Sequence, residues 1–149
     1  MGIDEDIKQM KWQSLQQKVN INIMFTANWI ADKTRESLKP FSITHQQFNV
    51  LKILKGKHPA VCAAQDIKEV MLDKSPDLTR LLDRLIDKGL IKRSTCEDNR
   101  RKLDIAITRE GLDLVNKIVP RLSRKHSGHR KITDKEANEL NRILDKIRK

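Results

Sequence analysis

The chain has 149 residues, of which 38% are hydrophobic and 34% charged, and a formal net charge of +11. That length suits a single domain with its own core, no apolar run approaches the roughly 20 residues of a membrane helix, and no signal-peptide pattern opens the sequence, so a cytoplasmic location is the default expectation. Five glycines and four prolines exclude a low-complexity linker, and two cysteines far apart exclude a disulfide framework.

The charge is unevenly spread. Residues 1–40 carry six basic and five acidic side chains, 41–90 carry eight and six, and 91–149 carry seventeen and nine. A basic balance of this kind suits a polyanion such as DNA, where released counterions favour binding. A membrane surface is the rival partner, and no lipidation motif supports it.

Residues 4–38 read as one long helix, with Leu15, Val19, Ile23, Ala27 and Ile30 along one side. Trp12, Met24, Phe25 and Trp29 widen that surface. A helix this apolar must pack against something, either a second subunit or the rest of its own domain. Pro40 ends the region. Thr44-x-x-Gln47 is a capping box, with Ile43 and Phe48 placed as a hydrophobic staple. The helix it opens runs from His45 to about Lys55, buries Phe48, Leu51 and Leu54, and is stopped by Gly56. A loop through His58-Pro59 leads to a third helix near 63–71, with Ile67, Val70 and Met71 inward.

After the turn at Asp73-Lys74, Ser75 can act as N-cap with Pro76 in the first helical position. Asp77 then places negative charge in the first turn, and Gly89 fits the position just past the last one. Leu78, Leu81, Leu82 and Leu85 recur at i, i+3, i+4 and i+7, leaving Thr79, Arg80, Asp83, Arg84 and Asp87 outside. Two strands follow, Leu90 to Cys96 and Lys102 to Ile107, the second alternating Leu103, Ile105 and Ile107 inward. The polar link from Glu97 to Arg101 is short enough for a hairpin turn. Two short helices and a charged hairpin make a winged helix-turn-helix.

Thr108 can cap a helix from Arg109 to about Lys125, with Leu112, Val115, Val119 and Leu122 as its stripe and a kink at Pro120. Ser127-Gly128-His129 breaks it. A second capping box, Thr133-x-x-Glu136, opens a last helix with Ala137, Leu140, Leu144 and Ile147 on one face. The expected fold is thus mainly α with a small β-wing.

The run LTRLLDRLIDKGLIKR from Leu78 to Arg93, the wing motif Asp98-Asn99-Arg100, the apolar strand from Leu103 to Ile107, and Thr108 with Gly111 resemble the MarR family of bacterial transcription regulators. The resemblance implies one domain over 1–149, with 41–108 as a winged-helix DNA-binding lobe and 1–40 with 109–149 as a helical dimerisation region. It implies a homodimer on a near-palindromic double-stranded operator, acting most often as a repressor. A small effector, commonly an anionic aromatic in relatives, would enter between the dimerisation helices and the DNA lobe.

In a major groove, the exposed N-terminal half of the Ser75 helix would meet base edges. Ser75, Asp77, Thr79 and Arg80 are therefore the candidates for base or phosphate contact. Arg80 suits guanine, because its fork matches O6 and N7. Arg84, a turn further on, either meets phosphate or pairs with Asp83 or with the neighbours of Lys88. Arg100 fits a narrow minor groove, and the resemblance makes Asp98 the residue that orients it. Arg101 and Lys102 add phosphate contacts by position. The basic run Arg121, Arg124, Lys125, Arg130 and Lys131 is a solvated junction, an extension of the footprint or a set of charges that neutralises a bound anion.

Other chemistries find little support. His126-x-x-His129 lacks a nearby Cys or acid to complete a metal site, and no cofactor motif appears. Cys62 and Cys96 fit small apolar residues better than thiol sensors. No catalytic constellation is present, so an enzyme is not expected. The alternative class is a non-specific architectural nucleic-acid binder, or a winged helix that reads another protein.

Overall fold

The protein, seen in a computed structural model, is described for residues 2–74, 76–96, 99–125 and 131–149, with backbone alone at 95, 96, 99–103 and 125. It is mainly helical with a small β-wing, as the sequence predicts, and a third short strand makes the sheet three-stranded and antiparallel.

The N-terminal region is two helices rather than the one expected over 4–38. The first, α1 (Ile3–Asp6), ends where Lys8 adopts φ 54°. The chain restarts at Ser14, whose hydroxyl accepts from the Gln17 N–H at 3.0 Å and caps α2 (Leu15–Leu38). Polar contacts hold the break: the Asp4 carboxylate accepts from both the Lys18 ammonium and the Trp12 indole N–H. Those two donors, Lys18 foremost, keep the Asp4 carboxyl below its usual range. Trp12 is thereby drawn back to α1 instead of lying on the helix stripe. Along α2 only Thr34, Ser37 and Leu38 are buried, while Leu15, Val19, Met24, Phe25 and Trp29 stay exposed.

A 3-10 turn at Lys39–Phe41 carries Pro40, and Ser42 (φ 53°) reverses the chain. The predicted capping box then opens α3 (His45–Lys57): Thr44 Oγ1 accepts from Gln47 N at 3.1 Å, and Gln47 Oε1 accepts from Thr44 N at 3.0 Å. Ile43 and Phe48 are both buried, as a staple requires. Gly56 does not stop this helix. It runs to Lys57 and ends at His58, which takes the extended backbone that a following proline imposes.

A two-residue strand that the sequence did not announce, β1 (Cys62–Ala63), precedes α4 (Ala64–Val70). Ile67 and Met71 are buried as expected, but Val70 is 58% exposed. The chain turns extended at Met71, and that residue takes the inward place instead.

The next helix, α5 (Leu78–Asp87), starts later than predicted. Its N-cap is Asp77, whose Oδ1 accepts from Arg80 N at 3.4 Å, so Pro76 stands outside the helix and Asp77 outside its first turn. Ser75 lies outside the described residues. The exit is as expected: Gly89 at φ 67° lets Leu90 N reach Leu85 O (3.0 Å) and Gly89 N reach Ile86 O (2.8 Å), satisfying two terminal carbonyls.

β2 (Ile91–Cys96) and β3 (Asn99–Ile107) form the wing, with β3 beginning three residues before the predicted Lys102. β3 is central, in the order β1-β3-β2, with Cys62 opposite Ile105 on one side and Arg93 opposite Ile105 on the other. Thr108 does two tasks at the start of α6 (Arg109–Lys125): its hydroxyl accepts from Gly111 N at 3.1 Å and donates to Gly89 O at 2.7 Å. Pro120 lies inside this helix. The Thr133–Glu136 capping box opens α7 (Asp134–Ile147), in which no residue is buried. Both Thr133 contacts hold the Glu136 carboxyl below its usual range.

The core gathers Leu38, Leu51, Leu54, Ile67, Leu85, Ile91, Ile105, Val115 and Ile118 from α2 to α6. Burying an aliphatic side chain contributes about 1.5–3 kcal/mol, so this cluster holds the lobe and sets the position of α5.

Candidate nucleic-acid interface

α5 presents two faces. Leu81, Leu82 and Leu85 face the core, and Thr79, Arg80, Asp83 and Arg84 face out. The helix is anchored at both ends, by Asp77 at its start and Gly89 at its exit. The preceding turn is tied to α3 by Leu72 N donating to Asn49 Oδ1 at 3.0 Å. A carboxylate N-cap also suits the positive end of the helix dipole.

The arginine at the predicted base-reading position stands open on the helix face. Arg80 keeps 80% side-chain exposure, with Nε 3.6 Å from Asp77 Oδ2. Asp77 therefore caps the helix and lies beside the guanidinium at once. An exposed i,i+3 pair of this length contributes about 0–1 kcal/mol, so it biases the side chain without immobilising it. Thr79 and Arg84 are exposed on the same helix. Asp83 does not serve Arg84: its Oδ1 accepts from Arg93 Nη2 on β2 at 2.9 Å. A shallow cleft beside the helix start is lined by Thr44, Gln46, Pro76, Asp77, Arg80, Leu81 and Arg84.

Of the predicted wing residues, Arg100, Arg101 and Lys102 lie on the backbone of β3, and their side chains are outside the description. Asp98 lies outside the described residues, as do His126, His129 and Arg130. In the basic run after the wing, Arg121 packs its guanidinium 5.6 Å from the Phe41 ring centroid, while Arg124 and Lys131 are exposed. Lys88 donates to Ser42 O, joining the end of α5 to the turn after α2.

Among the described residues no three His, Cys, Asp or Glu side chains gather as a metal site, and no helix is long and apolar enough to cross a membrane. Cys62 is buried, and that burial, followed by nearby Asp66, pushes its thiol up from the usual value. Both effects disfavour the reactive thiolate.

Sequence reasoning names Arg93 and Gly111 only within the family motif and gives neither a structural role. A Cβ at Gly111 would stand 2.2 Å from Leu90 O and 2.7 Å from Ile107 Cγ1. Gly111 is a contact point between α6 and the base of the wing.

Comparison with known proteins supports this architecture. A model of the MarR family matches residues 43–103, which span α3 to the wing. The chain is 32% identical over 81 residues to the HTH-type transcriptional regulator PecS of Dickeya dadantii, covering 53% of this chain and 48% of that protein. It thus spans about half the length of that curated relative. It is 30% identical to the crystal structure of a MarR transcription factor from Planctomyces limnophilus, covering 91% of this chain and 98% of that one with a TM-score of 0.70. A mutant MarR from E. coli complexed with operator DNA shares the fold at a TM-score of 0.77 and 23% identity, over 99% of both chains. The segment matched by the family model and a solved relative 30% identical over nearly its whole length place this chain in the MarR family.

Proposed function

We propose that the chain is a sequence-specific DNA-binding transcription regulator that works as a homodimer. The observation that carries the reading is the outward face of α5, where Thr79, Arg80 and Arg84 stand exposed on a helix anchored at both ends and backed by leucines. In the major groove, Arg80 reads a guanine edge and Arg84 meets phosphate, with Ser75, Asp77 and Thr79 near the same strand. The wing brings Arg100 to the flanking minor groove, oriented by Asp98, with Arg101 and Lys102 on phosphates. The net charge of +11 supplies the sequence-independent attraction to the duplex.

Residues 41–108 form the DNA lobe in this reading, and 1–40 with 109–149 form the dimerisation region. Support comes from apolar side chains left exposed on both terminal helices, Met24 and Trp29 on α2 and Leu140, Ile143 and Ile147 on α7. A two-fold dimer sets two α5 helices in successive major grooves, about 10 base pairs apart, on a near-palindromic operator. Repression by occlusion and release by a small anionic or aromatic effector follow the family resemblance.

Selecting bound duplexes from a random pool at moderate salt tests the proposal. Enrichment of an inverted repeat with half-sites one turn apart is the expected result. Binding without enrichment would replace it with the architectural reading, and no binding with a protein-interaction module. On an enriched site, Arg80→Ala is expected to lose about 1–3 kcal/mol of discrimination at one base pair, whereas Arg100→Ala weakens all duplexes evenly and flattens the salt dependence. Parallel losses in the two variants would overturn the division between major-groove reading and wing contact.

A further inference from the structure

Arg93 sits on the wrong side of its strand for a cation. In an antiparallel pair, directly opposed residues point to the same face of the sheet. Arg93 is opposite Ile105, which is fully buried, and Ile105 is opposite buried Cys62 on its other side. Ile91, two residues earlier on the same face, is also buried and stands opposite buried Ile107. Arg93 therefore lies on the face of the sheet that carries the core. Its side chain keeps 31% exposure, against 80% for Arg80 on the helix face. A partly covered guanidinium on an apolar face needs a partner, and Asp83 of α5 supplies it at 2.9 Å.

We propose that the Asp83–Arg93 pair is a strut that fixes the angle between the recognition helix and the wing, making both residues positioning residues for simultaneous contact with the major and minor grooves. The inference rests on the DNA-reading function proposed above.

Several observations separate this pair from ordinary surface charge. Most ion pairs among the described residues are i,i+3 pairs within one helix, which restrain nothing beyond it. The Asp83–Arg93 pair instead joins two elements ten residues apart in sequence. On the helix side, Asp83 follows buried Leu82 and precedes exposed Arg84, so it holds α5 beside the residues that meet DNA. On the strand side, Arg93 belongs to β2, which is paired residue for residue with β3 at this point. β3 carries Arg100, Arg101 and Lys102. A rotation of α5 about its own axis would be transmitted to the wing through this contact. The backbone joint between the two elements is the turn at Gly89-Leu90, and the core leucines of α5 meet Ile91 at the foot of β2, whereas the Asp83–Arg93 contact lies further out along the strand.

The test uses the full chain with Arg93→Met, which keeps the apolar stem, Asp83→Asn, and the reversed pair Asp83→Arg with Arg93→Asp. On the duplex that the parent selects, guanine N7 protection reports α5 in the major groove, and hydroxyl-radical protection reports the wing in the minor groove. The single variants are expected to keep the guanine protection, lose the flanking minor-groove protection, and bind about tenfold more weakly. The reversed pair is expected to restore the minor-groove footprint at unchanged net charge. Loss of both footprints together with the thermal midpoint, or retention of both, would overturn the strut.

A DNA-free measurement keeps the two proposals apart. Spin labels at Asp87→Cys and Arg101→Cys, in a Cys96→Ser background where Cys62 stays shielded by burial, report the helix-to-wing distance directly. The distribution is expected to broaden in Arg93→Met and sharpen again in the reversed pair. An unchanged distribution overturns the strut even if the parent reads DNA. A broadened one supports it even if the parent shows no sequence preference.

Discussion

Replacing Gly111 by alanine is expected to cost about 3 kcal/mol of stability, the upper end of what an added methyl costs in a packed interior. Gly111 is buried in the first turn of α6, and a Cβ built there lies 2.2 Å from the Leu90 carbonyl oxygen and 2.7 Å from Ile107 Cγ1. An isoleucine methylene can rotate away, but the carbonyl cannot. It already accepts from Thr108 N at 3.1 Å, and the Thr108 hydroxyl bonds both Gly89 O and Gly111 N. Relieving the clash means lifting the start of α6 from the base of the wing and disturbing several hydrogen bonds. For a domain of this size the thermal midpoint should fall by roughly 10 °C. Gly56→Ala is the control: nothing lies within 4 Å of its added Cβ, and within a helix the change should stabilise by about 0.5–1 kcal/mol. Equal melting of Gly111→Ala and the parent would mean that α6 does not approach Leu90 this closely.

Leu85→Ala is expected to cost about 2–5 kcal/mol, the range for truncating a buried leucine that leaves a cavity behind. Leu85 is fully buried on the inner face of α5, and its carbonyl accepts from Leu90 N at the helix exit. The loss therefore falls on the element that carries the proposed reading residues. Its signature differs from that of Arg80→Ala. An exposed arginine paired only at 3.6 Å can be removed with the thermal midpoint nearly unchanged while base preference relaxes. Truncating Leu85 lowers the midpoint and weakens specific and non-specific binding together, because the mounting of the helix is lost. Melting curves and binding to matched and random duplexes distinguish the two. A Leu85→Ala protein that melts with the parent would show that the core under α5 can close around the gap.

The legible parts of this chain were those whose signal is local. Both capping boxes, the leucine stripe of α5, the αL glycine at 89 and the cap at Thr108 are each set within about one helical turn, and each stands where its residues imply. The break between α1 and α2 was not legible, because residues 7–13 contain no glycine or proline. It is held by the side chains of Asp4, Trp12 and Lys18, which meet only after folding. The N-cap at 77 was missed for a related reason: serine and aspartate cap about equally well, and either can precede a helix. β1 is too short to show a period of two. At the candidate site, the exposure of Arg80 and Arg84 followed from helical spacing. The inward side of Arg93 could not be read while its strand alternated with the uninformative Lys92 and Ser94, and only the register against Ile105 reveals it. The close approach at Gly111 needs tertiary structure to be seen at all.

The sparse burial of the terminal helices has a thermodynamic consequence. A 24-residue helix buried at only three positions near its end, and a 14-residue helix buried nowhere, gain little from the rest of their own chain. Helices in water owe most of their stability to what packs on their apolar face. If a second copy supplies that packing, mass action links folding to subunit concentration. Diluting the protein would then lower its melting temperature and fray α2 and α7 first, while the winged lobe between them, with its own core, would hold its shape.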